Sequence, residues 1–233
     1  MATNSFSQKS HGGPARWHTL LPIVYSPFVD CRGYWEEACA HLVEKDDVMA
    51  RLVARHRGEQ LRGSGDAFRT LANAIVGQQI SVVAAERIWS RLQSIQQPPG
   101  IEALHILETT PAQLRAVGLS GRKVEYLQGI ARAFRDGEID PERWKTMSDD
   151  EVRSELIALR GVGPWTADMM LIFYLHRPDV LPLEDIGLIN SAARLYGWDT
   201  VSALRDQAEL WRPWRTVATW YIWRDLDAEP VIY

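Results

Sequence analysis

SDDEVRSELIALRGVGPWTADMMLIFYLHRPDVLPLEDIGL, residues 148–188, decides how this chain is read. Ser148 with Glu151 three residues on is a capping-box pattern, and it opens a helix running to about Leu159. Gly161 and Gly163 then bracket one apolar residue, Val162, so the backbone turns sharply and leaves amides uncovered. Pro164 takes the first position of a second helix, where its missing N–H costs nothing, and that helix extends to about Tyr174. A proline-containing loop, 176–185, ends at Asp185, where a third helix begins and runs to Tyr196 or Gly197. The order is helix, two-glycine hairpin, helix, loop, aspartate, helix.

The rest of the chain reads as helices too. Amphipathic segments cover about 34–42 and, capped by Asp46 or Asp47, reach His56. Asp66 starts a helix whose Phe68, Leu71, Ala72 and Ile75 fall on one face. Gly77 interrupts it, and Ser81 caps the next, with Val82, Ala85, Ile88, Trp89 and Leu92 inward. After the break QQPPG (96–100), short helices are expected at 101–108 and 111–117. Ser120 caps a longer one carrying Val124, Leu127, Ile130, Ala131 and Phe134, and a last helix spans about 213–227. Residues 20–25 could pair weakly as strand, but the expected class is all-α, with a tail at 1–33 and one domain at 34–233.

Composition narrows the classes. At 233 residues, with 46% hydrophobic and 24% charged, the chain is of ordinary globular type. No apolar run approaches the ~20 residues of a membrane span, and residues 1–16 lack a secretory core. Cys31 and Cys39 are too few for a disulfide framework or a four-thiolate cluster, so a reducing cytoplasm is expected. Six scattered histidines give no zinc spacing, and no phosphate-binding P-loop or dinucleotide fingerprint occurs. The net charge of −4 argues against a broad basic face. Any nucleic acid would have to be held locally, by backbone amides and a helix N-terminus.

Two features of the deciding stretch carry chemistry. The hairpin amides and the positive end of the following helix form an anion site suited to a phosphate, though the same glycines serve an ordinary close-packed turn. Asp185 sits where a loop enters a helix, which fits an N-cap as well as a fixed carboxylate beside a developing positive charge. Glu184 is the rival acid.

LRGVGPWTA, the apolar helix after it and PDVLPLEDIGL together resemble the signature of the helix-hairpin-helix DNA glycosylases, most closely the 3-methyladenine DNA glycosylase II family. IVGQQIS (75–81) and WRPWR (211–215) resemble further segments of that family, in the same order, so the likeness covers about 67–223. The resemblance implies a two-lobed all-α fold with the active-site cleft between lobes. Gln79 would lie in one lobe, with the hairpin and Asp185 in the other. It implies hydrolysis of the glycosidic bond of alkylated purines, 3-methyladenine and 7-methylguanine, in double-stranded DNA by a monomer, leaving an abasic site. Asp185 would be the catalytic carboxylate, and Gly161, Val162, Gly163 and Thr166 the phosphate-binding group. Trp165, Met169 and Trp214 would line the base pocket, since aromatic faces attract a cationic base. Trp89, Trp220 and Trp223 read as core.

A base must leave the stack to reach such a pocket, and Gln79 stands where similar enzymes insert a side chain. Gln78 reads as a holder of local backbone, and Arg212 and Arg215 as partners of acids near the site. No organic cofactor is implied, although similar hairpins bind a monovalent cation through carbonyls placed here at Ile157, Leu159 and Val162. Bifunctional relatives use a lysine near the start of the post-hairpin helix. Trp165 takes that position here, and 168–185 contains no lysine, so water must attack. A non-catalytic binding module, or a glycosylase for uracil or oxidised bases, would be the other readings.

Overall fold

The computed structural model describes residues 32–96, 101–198 and 200–226, and every regular element among them is a helix. The weak strand pairing at 20–25 lies outside the described residues, as does the expected tail except for its last two positions. The helices are α1 (Arg32–Lys45), α2 (Asp47–Arg55), α3 (Ala67–Gly77), α4 (Val82–Ser94), α5 (Ala103–Glu108), α6 (Pro111–Ala116) and α7 (Gly121–Arg135). They continue as α8 (Pro141–Trp144), α9 (Asp149–Ile157), α10 (Pro164–Phe173), α11 (Ile186–Tyr196), α12 (Val201–Gln207) and α13 (Arg215–Leu226).

Capping side chains place most of these starts. Asp66, Ser81 and Ser120 accept from N3 backbone amides of α3, α4 and α7. Ser148 and Glu151 form the full reciprocal box on α9. The short α8 and α12 were not expected, because neither is long enough to display an apolar period. Their caps, Asp140 and Thr200, were the available signals.

The helices divide into two groups. α3 packs on α4, α7 and α10, α5 and α6 pack on α7, and α9 packs on α10. In the other group α1, α2 and α11 pack on α13, and α12 on α11. The chain thus starts in one lobe, builds the second from α3 to α10, and returns. This corrects the expected allocation, since the hairpin between α9 and α10 belongs with Gln79 and only Asp185 opens the returning lobe.

α10 explains its own lack of amphipathic pattern. From Thr166 to Phe173 every residue is buried, because α3 and α9 both pack on it. Its one charged residue, Asp168, is paired at 2.8 Å with Arg153 of α9. Burial pushes the Asp168 carboxyl up against the opposing pull of that guanidinium. Leu71, Ile75, Leu127, Met170 and Leu171 are fully enclosed between these helices, each contributing ~1.5–3 kcal/mol by area burial.

The returning lobe is fastened by Asp46. Its Oδ1 accepts from the Val48 and Met49 amides and so caps α2. Its Oδ2 accepts from the Tyr196 hydroxyl at 2.7 Å, Gln207 Nε2 at 2.9 Å and Trp211 Nε1 at 2.8 Å. One carboxylate therefore ties α2 to α11, α12 and the segment before α13.

Candidate active site

Asp185 caps α11, as its position predicted, and does more. Its Oδ1 accepts from the Leu188 amide at 2.6 Å and from Trp223 Nε1 at 3.0 Å. Its Oδ2 accepts from Trp165 Nε1 at 2.7 Å. Trp165 stands in the first turn of α10 and Trp223 near the end of α13, so indoles from both lobes meet on this carboxylate. The residue is half-buried, whereas its neighbour Glu184 is exposed. Ile186, next along, is 72% exposed, an apolar side chain left in the open beside the carboxylate.

The loop that delivers Asp185 is stitched to the start of α13. Arg215 reaches Asp179 Oδ1 at 2.6 Å with Nε, and its terminal nitrogen donates to Asp179 Oδ2 and to the Asp179 carbonyl, each at 3.0 Å. Arg212 adds a bond to Asp179 Oδ2 at 3.0 Å. Thr216 Oγ1 donates to the Arg177 carbonyl at 2.6 Å and accepts the Val180 amide at 3.0 Å. The arginines of WRPWR thus pair with an acid of the loop, and they fix the distance between Asp185 and the helix bearing Trp223.

At the hairpin, Gly161 has φ +93°, a left-handed conformation, and a Cβ there would stand 2.2 Å from Tyr126 Cγ. Glycine is required twice over. Gly163 differs, since a Cβ there would meet nothing within 4 Å. It caps α10 without a side-chain bond, and Pro164 has no N–H, so the first-turn amides remain open to an anion. Two of the expected phosphate residues are turned inward. The Val162 amide donates to the Leu159 carbonyl at 3.1 Å, and its side chain is buried. Thr166 is 1% exposed, with Oγ1 accepting from Gln78 Nε2 at 2.9 Å. Their side chains build the hairpin, while the Thr166 amide stays among the first-turn amides of α10.

Gln79 is exposed between α3 and α4 with φ +56°, the left-handed region that a non-glycine residue seldom occupies. Ile80, Val82 and Val83 beside it are also exposed, giving the turn an apolar flank. Ser81 caps α4, so Gln79 has no part in starting that helix. Gln78 holds backbone, but not local backbone. Its Nε2 crosses to the Gly161 carbonyl at 2.9 Å as well as to Thr166.

The three expected pocket residues separate. Trp165 is half-buried with its N–H engaged by Asp185. Met169 is 1% exposed and belongs to the core, so it offers no surface to a base. Trp214 stacks on Tyr34, centroids 5.5 Å apart and planes at 13°. Trp223, expected as core, is instead the second indole on the carboxylate, and it stacks on Phe173 at 5.9 Å. Its apolar helical spacing hid this, because an indole can pack its face inward and still aim its N–H at a partner. A polar depression lined by Ile95, Gln96, His105, Glu108, Thr109 and Gln113 contains none of these residues.

Residues 72–216 match the family described as HhH-GPD superfamily base excision DNA repair protein. DNA-3-methyladenine glycosylase 1 of Schizosaccharomyces pombe is 31% identical over 183 residues, 76% of this chain and 79% of that protein. DNA-3-methyladenine glycosylase of Bacillus subtilis is 30% identical over 199 residues, and the match covers 78% of this chain but 65% of that relative's length. The solved structure of the S. pombe 3-methyladenine DNA glycosylase in complex with abasic DNA superposes with a TM-score of 0.74, covering 81% of this chain and 95% of that one. The match spans the Gln78–Gln79 turn, the hairpin and Asp185 in one run, and the chain belongs to the HhH-GPD superfamily of base excision DNA repair proteins.

Proposed function

We propose that this chain is a monofunctional DNA glycosylase that hydrolyses the N-glycosidic bond of alkylated purines in duplex DNA. The observation that carries the reading is Asp185. Two indole N–H groups and a backbone amide fix the carboxylate, and three bonds leave part of its lone-pair capacity unused. A carboxylate so held stabilises the positive charge that grows on deoxyribose as the bond to the base breaks. It also orients or deprotonates the attacking water. The water oxygen bonds to C1′, and the electron pair of the broken bond goes to the departing base.

An N-alkylated purine is already cationic and leaves as a neutral base, so little acid catalysis is needed. The indole edges of Trp165 and Trp223 are taken up by Asp185, and a π-face is what attracts a cation. This favours alkylated purines over uracil or oxidised bases, whose recognition calls for polar partners. Trp165 replaces any amine at the start of α10, so no Schiff base forms and the strand stays unbroken.

The DNA backbone would be held at the first-turn amides of α10. The carbonyls of Ile157, Leu159 and Val162, at and beyond the end of α9, would hold a monovalent cation; the Leu159 oxygen accepts the Val162 amide and keeps a second lone pair. Such an ion would add positive charge facing a phosphate. No organic cofactor enters the reading. The protein would act as a monomer in the cytoplasm, at the nucleoid if the cell is bacterial. No helix among the described residues is long and apolar enough to cross a membrane.

The test is to incubate the protein with methylated duplex DNA, identify released bases by chromatography and add borohydride during turnover. Free 3-methyladenine and 7-methylguanine, no trapped adduct, and nicking only after alkali are expected. Binding without release of any base would leave a non-catalytic module. Release of uracil or oxidised bases alone would overturn the substrate class.

A further inference from the structure

Lys123 has no part in the reading so far, yet it reaches the turn that carries Gln79, the plug that the glycosylase reading inserts into the duplex. It comes from the first turn of α7, and its Nζ donates to the Val76 carbonyl at 2.7 Å and the Gln78 carbonyl at 2.9 Å. These are carbonyls at the end of α3, where a helix leaves acceptors without partners and its dipole favours a cation. Lys123 is half-buried, and burial pushes its ammonium below the ordinary lysine range.

Gln78 is thereby held at both ends. Its carbonyl is bound by Lys123, while its side-chain nitrogen bridges Gly161 and Thr166 across the hairpin. The amide orientation is fixed, because the Gly161 carbonyl can only accept. One turn after Lys123, the Tyr126 ring packs against Gly161. Lys123 and Tyr126, three residues apart, share one face of α7. That face braces both the plug turn and the hairpin. Gln79, the next residue after this doubly tethered Gln78, lies in the left-handed region. Such a conformation persists where the surroundings over-determine it.

We propose that Lys123 and Gln78 are positioning residues that couple the hairpin to the plug, so that gripping the backbone and presenting Gln79 are one act. The inference rests on the glycosylase reading. Its physical content is preorganisation: the plug meets the duplex already ordered, and the ordering cost is not charged to insertion.

The experiment compares wild type, Lys123→Met, Lys123→Arg, Gln78→Leu, Gln79→Ala and the Lys123→Met/Gln79→Ala double variant. Base release is measured from methylated duplex and from methylated single strand. K123M and Q78L should each lose roughly tenfold on duplex and little on single strand, with K123R retaining most duplex activity. The double variant should be no worse than Q79A alone, since both act through the same insertion. Equal losses on both substrates, or additive losses in the double variant, would overturn the coupling. If K123M does not fold, as judged by its melting curve, Q78L carries the same expectation from the hairpin side.

A second readout needs no catalysis. A duplex carrying a tetrahydrofuran abasic analogue opposite 2-aminopurine reports insertion by fluorescence. Wild type and K123R should change it, and K123M and Q78L should change it much less. Equal responses from all four proteins would overturn the coupling. Absence of base release by wild type would count against the glycosylase reading, and the fluorescence arms would still decide the coupling.

Discussion

Asp46 and Asp185 look alike from their neighbours. Each precedes a helix, each caps it, and each collects indole N–H groups from distant elements. Asp46 accepts five bonds, from two amides, Tyr196, Gln207 and Trp211, and is 6% exposed. A carboxylate offers about four lone-pair sites, so Asp46 is saturated. Asp185 accepts three bonds, is half-buried, and lies where the lobes meet. Saturation makes a fastener, whereas the proposed function gives the unused capacity of Asp185 to the reaction. The same contrast of closed against open divides the hairpin, where Gly161 is locked under Tyr126 and Gly163 stands clear.

The sharpest way to break the comparison is to exchange the two carboxylates for amides. Asp185→Asn should cut base release by about 10²–10³-fold or more while DNA affinity stays close to wild type, because charge stabilisation acts mainly in the transition state. Asp46→Asn should leave the single-turnover rate of folded protein nearly intact and lower the melting temperature. Glu184→Gln, exposed and unconnected to the indoles, should retain most activity. Stability lost at Asp185 and activity lost at Asp46 would reverse the assignment.

The hairpin pair comes next in size. Gly161→Ala must accept φ +93° and a contact with Tyr126, and should cost roughly 2–4 kcal/mol in urea unfolding. Gly163→Ala meets nothing in the protein and should change stability by under about 1 kcal/mol. It should nonetheless weaken binding to every duplex, roughly tenfold if one phosphate bond is lost. A Gly163→Ala protein with unchanged affinity would place the backbone contact elsewhere.

Gln79→Ala should slow excision from duplex roughly tenfold and leave single strand nearly unaffected, since only the duplex has a stack to open. Equal loss on both substrates would return Gln79 to a structural role in its turn.

The smallest effect is in the acid limb of stability. Burial pushes the Asp46 carboxyl up, but the donors from Trp211, Tyr196, Met49 and Gln207 outweigh it and hold the group below the ordinary range. Its folded pKa is lower than its unfolded value of about 3.9, so its contribution is complete above that value. That contribution is lost as pH falls through the folded pKa. Unfolding free energies from urea titrations between pH 5 and pH 2 should therefore fall less for Asp46→Asn than for wild type, by ~1.4 kcal/mol per unit of depression. Parallel acid limbs would remove the linkage.

The sequence by itself determined the helical class, most helix starts, the hairpin, and Asp185 as a cap in the right place. These are local matters, decided by side chains within four residues of one another or by the backbone freedom of single glycines. Tertiary structure decided what each of these residues faces. Trp223 lies 38 residues from Asp185 and shows an ordinary apolar pattern, so only the meeting of α13 with the loop reveals its bond. Lys123 sits in a surface-like run of α7, and its contact with the end of α3 spans 45 residues. Thr166 and Val162 follow the glycine motif, but packing of α10 between α3 and α9 turned them inward. Local sequence sets where a helix starts and which way its dipole points. Which lone pairs remain free at that end depends on donors that only the folded chain brings within 3 Å.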